Sequence, residues 1–163
     1  MTETAATIQC LTFGLGDESY ALDVKRVREV LEMTHITPLP RTPEYLSGVI
    51  NVRGSVVPVV DLRLKLGMTR SEKTINTCIV VLDISTEGGS VTVGTLVDAV
   101  QGVVDFDSSK ISLAPHIGTA VRAEFIQGIG KREERFVMIL DIQKVFVEEE
   151  LVRLAEAERT VTA

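Results

Sequence analysis

Short apolar runs, separated by turns rich in glycine and proline, extend along most of the chain. The run Thr7–Leu15 alternates partly between apolar and polar positions, and the turn at residues 16–19 leads into a second apolar run. Two such runs joined by a tight turn predict a β-hairpin. The runs at residues 75–84 and 91–100, joined through Gly88 and Gly89, predict another hairpin in the second half of the chain.

The segment at residues 23–31 is ambiguous between helix and strand. Three of its valines have helical spacing, whereas its β-branched content favours a strand for at least the second part. The loop that follows carries three prolines within residues 38–43. Because a proline disfavours helical backbone in the residue before it, this loop is predicted to be extended.

The two halves of the chain resemble each other. Residues 22–40 align without gaps onto residues 97–115, and both segments place Asp second and end on Pro. Further along, residues 59–62 correspond to residues 139–142, at an offset of 80 instead of 75. A repeat of short strands predicts two similar antiparallel β units. We expect each unit to close into a small barrel, since closure removes exposed strand edges.

Helices are predicted at three places. Asp61 and Asp141 each precede an apolar-periodic run, and a carboxylate in such a helix N-cap contributes about 1 kcal/mol. The clearest helix is C-terminal, with three glutamates at residues 148–150 in its first turn and Arg159 in its last, which complements the helix dipole. The face expected to dock on the β body consists of Val147, Leu151 and Leu154.

Composition agrees with a β-rich fold. Hydrophobic residues make up 45% of the chain and aromatic residues only 4%, so the apolar mass is valine, isoleucine and leucine. Such a mixture suits a half-buried pleated surface. At 163 residues the chain fits one domain or two small subdomains that share a core. We expect disorder only at the ends, residues 1–6 and 160–163.

Charge excludes several classes of partner. The net charge is −6, with 17 basic and 23 acidic residues, and no block of lysine and arginine is present. Nucleic acid and anionic lipid surfaces both require such a block. The N-terminus has no basic region followed by an apolar run, and the longest uncharged apolar runs have five residues, against about 20 in a membrane span. We therefore predict a cytoplasmic protein.

The sequence offers little catalytic chemistry. Cys10 and Cys78 are 68 residues apart and are predicted to be buried free thiols, without the spacing of a metal site. His35 and His116 are isolated in predicted loops, and no phosphate-binding loop or nucleophile elbow is present. We predict no enzyme activity, no cofactor and no metal.

Two exposed residues of opposite charge stand out. Arg53 lies in an Asn-x-Arg-Gly turn, where Gly54 permits a positive φ. Glu29 lies between Val27 and Val30 in a segment that is otherwise apolar and basic. On the sequence alone each charge fits a solvated surface position, since an exposed pair contributes only about 0–1 kcal/mol to stability.

The motif at residues 48–63, GVINVRGSVVPVVDLR, resembles the signature of the CheW family of bacterial chemotaxis coupling proteins. The resemblance extends over residues 7–154 in order and spacing. It implies a mainly β fold of two SH3-like five-stranded β-barrels on a shared hydrophobic core, with short helices and a C-terminal helix. One barrel is expected at about residues 18–70 and the other at about 75–145, with the terminal segments packing across both.

CheW-like proteins are non-catalytic adaptors that join the histidine kinase CheA, through its regulatory domain, to the cytoplasmic tip of methyl-accepting chemotaxis receptors. The resemblance implies such a scaffold here, recruited beneath membrane-bound receptor arrays. By position, Arg53 and Gly54 match the family's signature turn and Glu29 its acidic partner. The kinase contact is expected around residues 33–41. The apolar strip expected to face the receptor consists of Val27, Val30, Val97, Val100 and Val103.

Three alternatives remain open. The chain fits a coupling protein of a non-flagellar pathway such as twitching motility. A stand-alone SH3-like adaptor for proline-rich peptides is less compatible, since such grooves are lined by aromatic residues. An enzyme is the third alternative, and its candidate carboxylates are Asp61, Asp98 and Asp141.

Overall fold

The computed structural model of the protein describes residues 7–70, 72–112, 123–147 and 150–156. Ten strands dominate these ranges, together with three short α-helices and single 3-10 turns. The strands are β1 (Thr7–Leu15), β2 (Glu18–Asp23), β3 (Val27–Glu32), β4 (Leu46–Val52), β5 (Ser55–Asp61), β6 (Cys78–Thr86), β7 (Gly89–Val97), β8 (Ala99–Asp107), β9 (Ile126–Arg132) and β10 (Arg135–Leu140). The α-helices are α1 (Leu62–Lys65), α2 (Ile142–Val145) and α3 (150–156). The 3-10 turns are Val24–Arg26, Ser108–Lys110 and Ala123–Phe125.

The strands form two five-stranded sheets. The first barrel has the strand order β3-β6-β7-β5-β4, and the second has the order β8-β1-β2-β10-β9. Each contains one parallel pair, β5–β7 in the first and β2–β10 in the second, among antiparallel neighbours. Two five-stranded barrels with few short helices confirm the predicted fold class.

The boundaries between the barrels differ from those expected at residues 18–70 and 75–145. The hairpin β6–β7 joins the three strands of the first half, and the hairpin β1–β2 joins the three strands of the second half. Each half of the chain therefore contributes its first hairpin to the barrel that contains the remaining strands of the other half. An apolar pattern identifies strands but not their partners, so it does not predict the exchange.

Each sheet closes on itself through one backbone bridge. Thr37, which follows the edge strand β3, exchanges two hydrogen bonds of 2.9 Å with Val49 of the opposite edge strand β4. Ser112 and Ile129 do the same in the second barrel, at 2.9 and 2.8 Å. Gly48 permits this close approach, since a Cβ atom there would lie 2.2 Å from the carbonyl oxygen of Thr37.

The sequence repeat is also a structural repeat. An offset of 75 residues relates Thr37 to Ser112, and an offset of 80 relates β4 to β9 and α1 to α2. Both predicted N-caps are confirmed. The Asp61 carboxylate accepts hydrogen bonds from the first backbone N–H groups of α1, and Asp141 accepts one of 3.1 Å from Gln143 N of α2.

Among the residues that the structure describes, buried side chains form three clusters. The largest lies between the barrels and contains residues of both, such as Phe13, Tyr20, Val80 and Leu82. The interior of the first barrel is a cluster of aliphatic residues around Ile79, and that of the second contains Cys10, Ala21, Phe106, Val137 and Ile139. The core between the barrels is the one that the resemblance implied.

The C-terminal helix docks on this shared core. Leu151 and Leu154 are almost fully buried there, as predicted. The prediction was wrong for Val147, whose exposure is 50%. Val147 precedes α3, accepts the first helical hydrogen bonds with its carbonyl and donates its N–H to Glu150 Oε1, so its side chain does not continue the helix face. Arg159, residues 148–149 and both ends predicted to be disordered lie outside the described residues.

Candidate partner-binding surface

The signature motif forms the turn between β4 and β5. Val52 pairs with Ser55, which leaves Arg53 and Gly54 as a two-residue loop with φ values of +52° and +89°. These values are those of a type I′ turn, whose twist matches that of the flanking strands. The Asn51 side chain accepts a 2.9 Å hydrogen bond from Gly54 N. Asparagine and glycine thus define the turn, and the arginine is held at its tip.

Arg53 pairs with Glu29, as the family resemblance implied. Arg53 Nη2 lies 3.2 Å from Glu29 Oε1, and the arginine side chain is 84% exposed whereas that of the glutamate is 20% exposed. Glu29 is held on β3 opposite Val81, next to a register shift in the β3–β6 pairing. The ion pair therefore connects the two edge strands of the first barrel, at the tip of the β4–β5 hairpin.

A polar groove of about 470 Å³ lies beside this pair, between β3, the β4–β5 turn and the start of β7. A second ion pair borders it, with Arg28 Nη1 at 3.6 Å from Asp83 Oδ1, and Arg28 also donates to Thr92 Oγ1. Charges of both signs thus alternate along this end of the first barrel. Solvent-exposed pairs of this kind add little to folding stability.

The five valines of the predicted strip differ in exposure. Val30 is 40% exposed on β3 and Val103 is 53% exposed on β8. Val27 and Val100 are half-buried and pack against the shared core. Val97 is 1% exposed, so its place in an exposed strip was wrong. Its strand β7 is flanked by β5 and β6, and Val97 faces the shared core, which leaves no surface for a partner.

Comparison with known proteins identifies the family. A family model described as a CheW-like domain matches residues 9–150. This chain belongs to the CheW-like domain family. It is 33% identical to the chemotaxis protein CheW of Klebsiella aerogenes, over 86% of this chain and 82% of the relative. It is also 33% identical to CheW of Rhizobium meliloti, over 87% of this chain and 89% of that protein.

A solved structure of the CheW family shares the fold. The crystal structure of the scaffolding protein TtCheW from Thermoanaerobacter tengcongensis matches this chain with a TM-score of 0.77 at 30% identity. The match covers 92% of this chain and 94% of that one. In the part of the CheW-like chain that the structure describes, no helix is long and apolar enough to cross a membrane.

One ion pair in this CheW-like chain was not expected from the sequence. Arg63 of α1 donates hydrogen bonds to Asp98 from both Nε and Nη2, the shortest being Nε to Oδ1 at 3.0 Å and Nη2 to Oδ2 at 2.8 Å. Asp98 Oδ2 also accepts a 2.7 Å bond from Gly16 N in the β1–β2 turn. Burial raises the pKa of Asp98, but the hydrogen bonds from Arg63 and Gly16 outweigh it and hold that pKa below its usual value. The network therefore links α1 of the first barrel to the β1–β2 hairpin, which belongs to the second barrel.

The carboxylates of the enzyme alternative all have structural partners. Asp61 and Asp141 cap separate helices, and Asp98 pairs with Arg63. Among the residues that the structure describes, no group of three His, Cys, Asp or Glu side chains is arranged to hold a metal ion. Their geometry therefore gives the enzyme alternative no support.

The two cysteines differ in environment. Cys10 is fully buried inside the second barrel, and burial, together with the nearby acidic side chains, raises its pKa to about 11. Cys78 is only partly buried, which corrects the prediction of two buried thiols. It is the first residue of β6 and lies opposite Glu32 at the end of β3, where the barrel meets solvent. His35 is exposed, and His116 lies outside the described residues.

Proposed function

We propose that this CheW-like chain is a non-catalytic chemotaxis coupling protein, which joins methyl-accepting chemotaxis receptors to the histidine kinase CheA. The observation that carries the proposal is the Arg53–Glu29 pair, which fixes the family's signature turn over one end of the first barrel. Family membership and the two-barrel fold support the same function. The protein needs no cofactor for it, because coupling acts through binding geometry and a shift between conformational states.

The receptor-binding surface comprises the exposed edges of β3 and β8. Val30 and Val103 supply apolar surface, and Val27 and Val100 support them from the shared core. An apolar stripe of a receptor helix fits such a surface, because amphipathic helices bind by laying apolar anchors into a groove. The Arg53–Glu29 pair provides charged contacts beside it and holds the β4–β5 tip in position.

The kinase-binding surface is the loop that follows β3. Residues 33–41 are mostly exposed. The end of this loop borders a groove of about 300 Å³ between residues 39–46 and α3, lined by leucine, proline and tyrosine together with threonine and charged side chains. The CheA regulatory domain is itself CheW-like, so this contact joins two related barrels in the cytoplasm beneath the receptor array.

Two alternative functions involve the same surfaces. A coupling protein of a non-flagellar pathway would use the same geometry, and the genes next to the one for this chain would distinguish that pathway from chemotaxis. An SH3-like adaptor for proline-rich peptides needs an aromatic-lined groove. The groove beside Arg53 is instead lined by valine, serine, threonine and charged residues, so the coupling function is favoured.

Binding measurements test the proposal. The purified protein is titrated against the CheA regulatory domain and against a soluble receptor tip fragment. We expect measurable association with both, and no association with either at about 100 μM, a binding free energy near −5.5 kcal/mol, contradicts the proposal. Arg53→Glu is expected to weaken receptor binding while the fold survives. Arg135→Glu, on the equivalent hairpin of the second barrel, is the matched charge reversal. Loss of folding in Arg53→Glu would show that the residue is structural instead.

A further inference from the structure

The ammonium group of Lys65 lies in a cage of three aromatic rings. Lys65 ends α1, its side chain is 10% exposed, and Nζ lies 5.5 to 5.8 Å from the ring centroids of Tyr45, Phe125 and Phe146. All three distances are within the range of about 6 Å at which a cation is attracted to a ring face. Glu150 of α3 completes the cage, with Oε2 at 3.2 Å from Nζ.

The cage combines groups from both barrels and the C-terminal helix. Tyr45 precedes β4 of the first barrel, and Phe125 occupies the equivalent position before β9 of the second, 80 residues later. The carbonyl of each accepts a hydrogen bond from the backbone N–H of the helix-capping aspartate, Asp61 N at 2.7 Å and Asp141 N at 2.9 Å. Two equivalent aromatic residues, one from each barrel, therefore contact the same ammonium group.

The two halves differ at the position of the cation. The position equivalent to Lys65 in the second half is Val145, which is fully buried and uncharged. Only the first barrel supplies a cation, while both barrels supply rings. The cage is therefore not repeated at the equivalent place in the second half, where Val145 stands.

A caged cation specifies position more sharply than apolar packing does. Burial of apolar surface is non-directional, so an apolar junction tolerates small sliding movements. A largely desolvated ammonium loses stability whenever a partner moves away, because an unpaired charge is costly to bury. Any rotation of one barrel against the other separates Lys65 from the ring of Phe125, and any undocking of α3 removes Glu150.

The side chain of Tyr45 also takes part in the cage. Burial raises the pKa of the Tyr45 hydroxyl, and the charge of the Glu150 carboxylate raises it further. Tyr45 also lines the groove between residues 39–46 and α3. The cage is thus continuous with the surface that borders the loop assigned above to the kinase.

We propose that Lys65 is a positioning residue, which fixes the two barrels and the C-terminal helix in one relative arrangement through its cage of Tyr45, Phe125, Phe146 and Glu150. A second part rests on the proposed coupling function: this arrangement is required for receptor control of the kinase, although Lys65 itself contacts no partner. The two parts are tested by separate measurements.

The first test measures the arrangement in the free protein. Lys65→Met keeps the length and apolar stem of the side chain but removes the cation, Lys65→Arg keeps the charge, and Lys131→Met is the control at an exposed lysine. Residual dipolar couplings report the relative orientation of the barrels, and amide hydrogen exchange reports the docking of α3.

In Lys65→Met we expect amide exchange in α3 to rise about tenfold, and the two barrels to lose their common orientation, with exchange inside each barrel unchanged. Lys65→Arg should restore most of the wild-type behaviour. Wild-type orientation and wild-type α3 exchange in Lys65→Met overturn the proposal. If Lys65→Met does not fold, Phe125→Leu replaces it, since this variant removes the ring that the second barrel supplies and keeps the cation. A changed barrel orientation then supports the proposal, and wild-type orientation overturns it.

The second test measures kinase control in a reconstituted complex with CheA and receptor. Lys65→Met is expected to keep measurable binding to each partner, weaker than wild type because the proposed surfaces include both barrels and α3, and to lose receptor control of the kinase at saturating protein. If the wild-type protein binds neither partner, the proposed function is contradicted, but the result on barrel orientation still stands. Normal kinase control in a Lys65→Met protein with altered orientation overturns the second part alone.

Discussion

Arg53→Asn separates the folding role of Arg53 from its binding role. Arg53 has φ +52°, and a non-glycine residue in this left-handed region carries a strain of about 1 kcal/mol. Asparagine is favoured at this turn position, so the substitution relieves part of the strain. It also removes the pair with Glu29, which contributes about 0–1 kcal/mol because the guanidinium is largely exposed. The two effects nearly cancel, and the free energy of unfolding should change by less than about 1 kcal/mol.

Binding should respond much more than folding. A charge-assisted hydrogen bond to a partner contributes about 1.5–3 kcal/mol, so loss of the guanidinium should weaken receptor-tip binding about tenfold or more. Urea unfolding and titration calorimetry measure the two quantities on the same sample. The matched control is Glu133→Asn, at the equivalent turn position of the second barrel with φ +57°. It should relieve the same kind of strain and leave receptor binding unchanged.

Two results would contradict these roles of Arg53. A loss of more than about 2 kcal/mol of unfolding free energy in Arg53→Asn would show that the Arg53–Glu29 pair is mainly structural, contrary to the weak contribution expected of an exposed pair. Unchanged receptor binding, with the fold intact, would remove Arg53 from the binding surface. Either result leaves the family assignment of the chain untouched.

Three further predictions concern the scaffold. Gly48→Ala should lower the free energy of unfolding in urea by about 2 kcal/mol more than Gly102→Ala. Both glycines have φ +145°, but only a Cβ at Gly48 meets the closing bridge, so equal losses would contradict that role for the bridge. Cys78 should react with a thiol reagent at pH 8 in the folded protein, whereas Cys10, with a pKa of about 11 and no exposure, should react only on unfolding. Asp98→Asn should destabilise the protein by about 1–2 kcal/mol at pH 7. The pKa of Asp98 is lower in the folded protein than in the unfolded chain, so the stabilisation that its carboxylate provides is fully present above the unfolded pKa of about 3.9. This stabilisation disappears as the pH falls through the folded pKa. The free energies of unfolding of wild type and variant in urea should therefore converge in acid.

Much of the scaffold follows from local patterns in the sequence. Alternating apolar positions identified the first hairpin. Each closing bridge, at Thr37 and at Ser112, joins a segment that repeats at an offset of 75 residues to a segment that repeats at an offset of 80. Asp61 and Asp141 cap helices because an aspartate before an apolar-periodic run accepts the N–H groups of the first turn. These features depend on neighbours in the chain, which a sequence displays directly.

Features that depend on distant partners were harder to predict. The exchange of hairpins between the halves and the burial of Val97 both result from strand pairing, which local pattern does not specify. Nothing in the local sequence around Lys65 points to its cage, which forms only when rings from both barrels come together. The Arg53–Glu29 pair was expected only through the family resemblance, since 24 residues separate the two and on the sequence alone each charge fits a solvated surface position.

The proposed function is the coupling of receptor state to the kinase. Its most direct test is CheA autophosphorylation, measured in receptor-containing membranes with and without the purified protein, and with Arg53→Asn in its place. We predict that receptor stimulation changes the kinase rate only when the wild-type protein is present, and that Arg53→Asn is defective. The proposal would be contradicted if receptor stimulation changed the kinase rate equally without the purified protein. It would also be contradicted if adding the wild-type protein to functional receptors and kinase changed nothing.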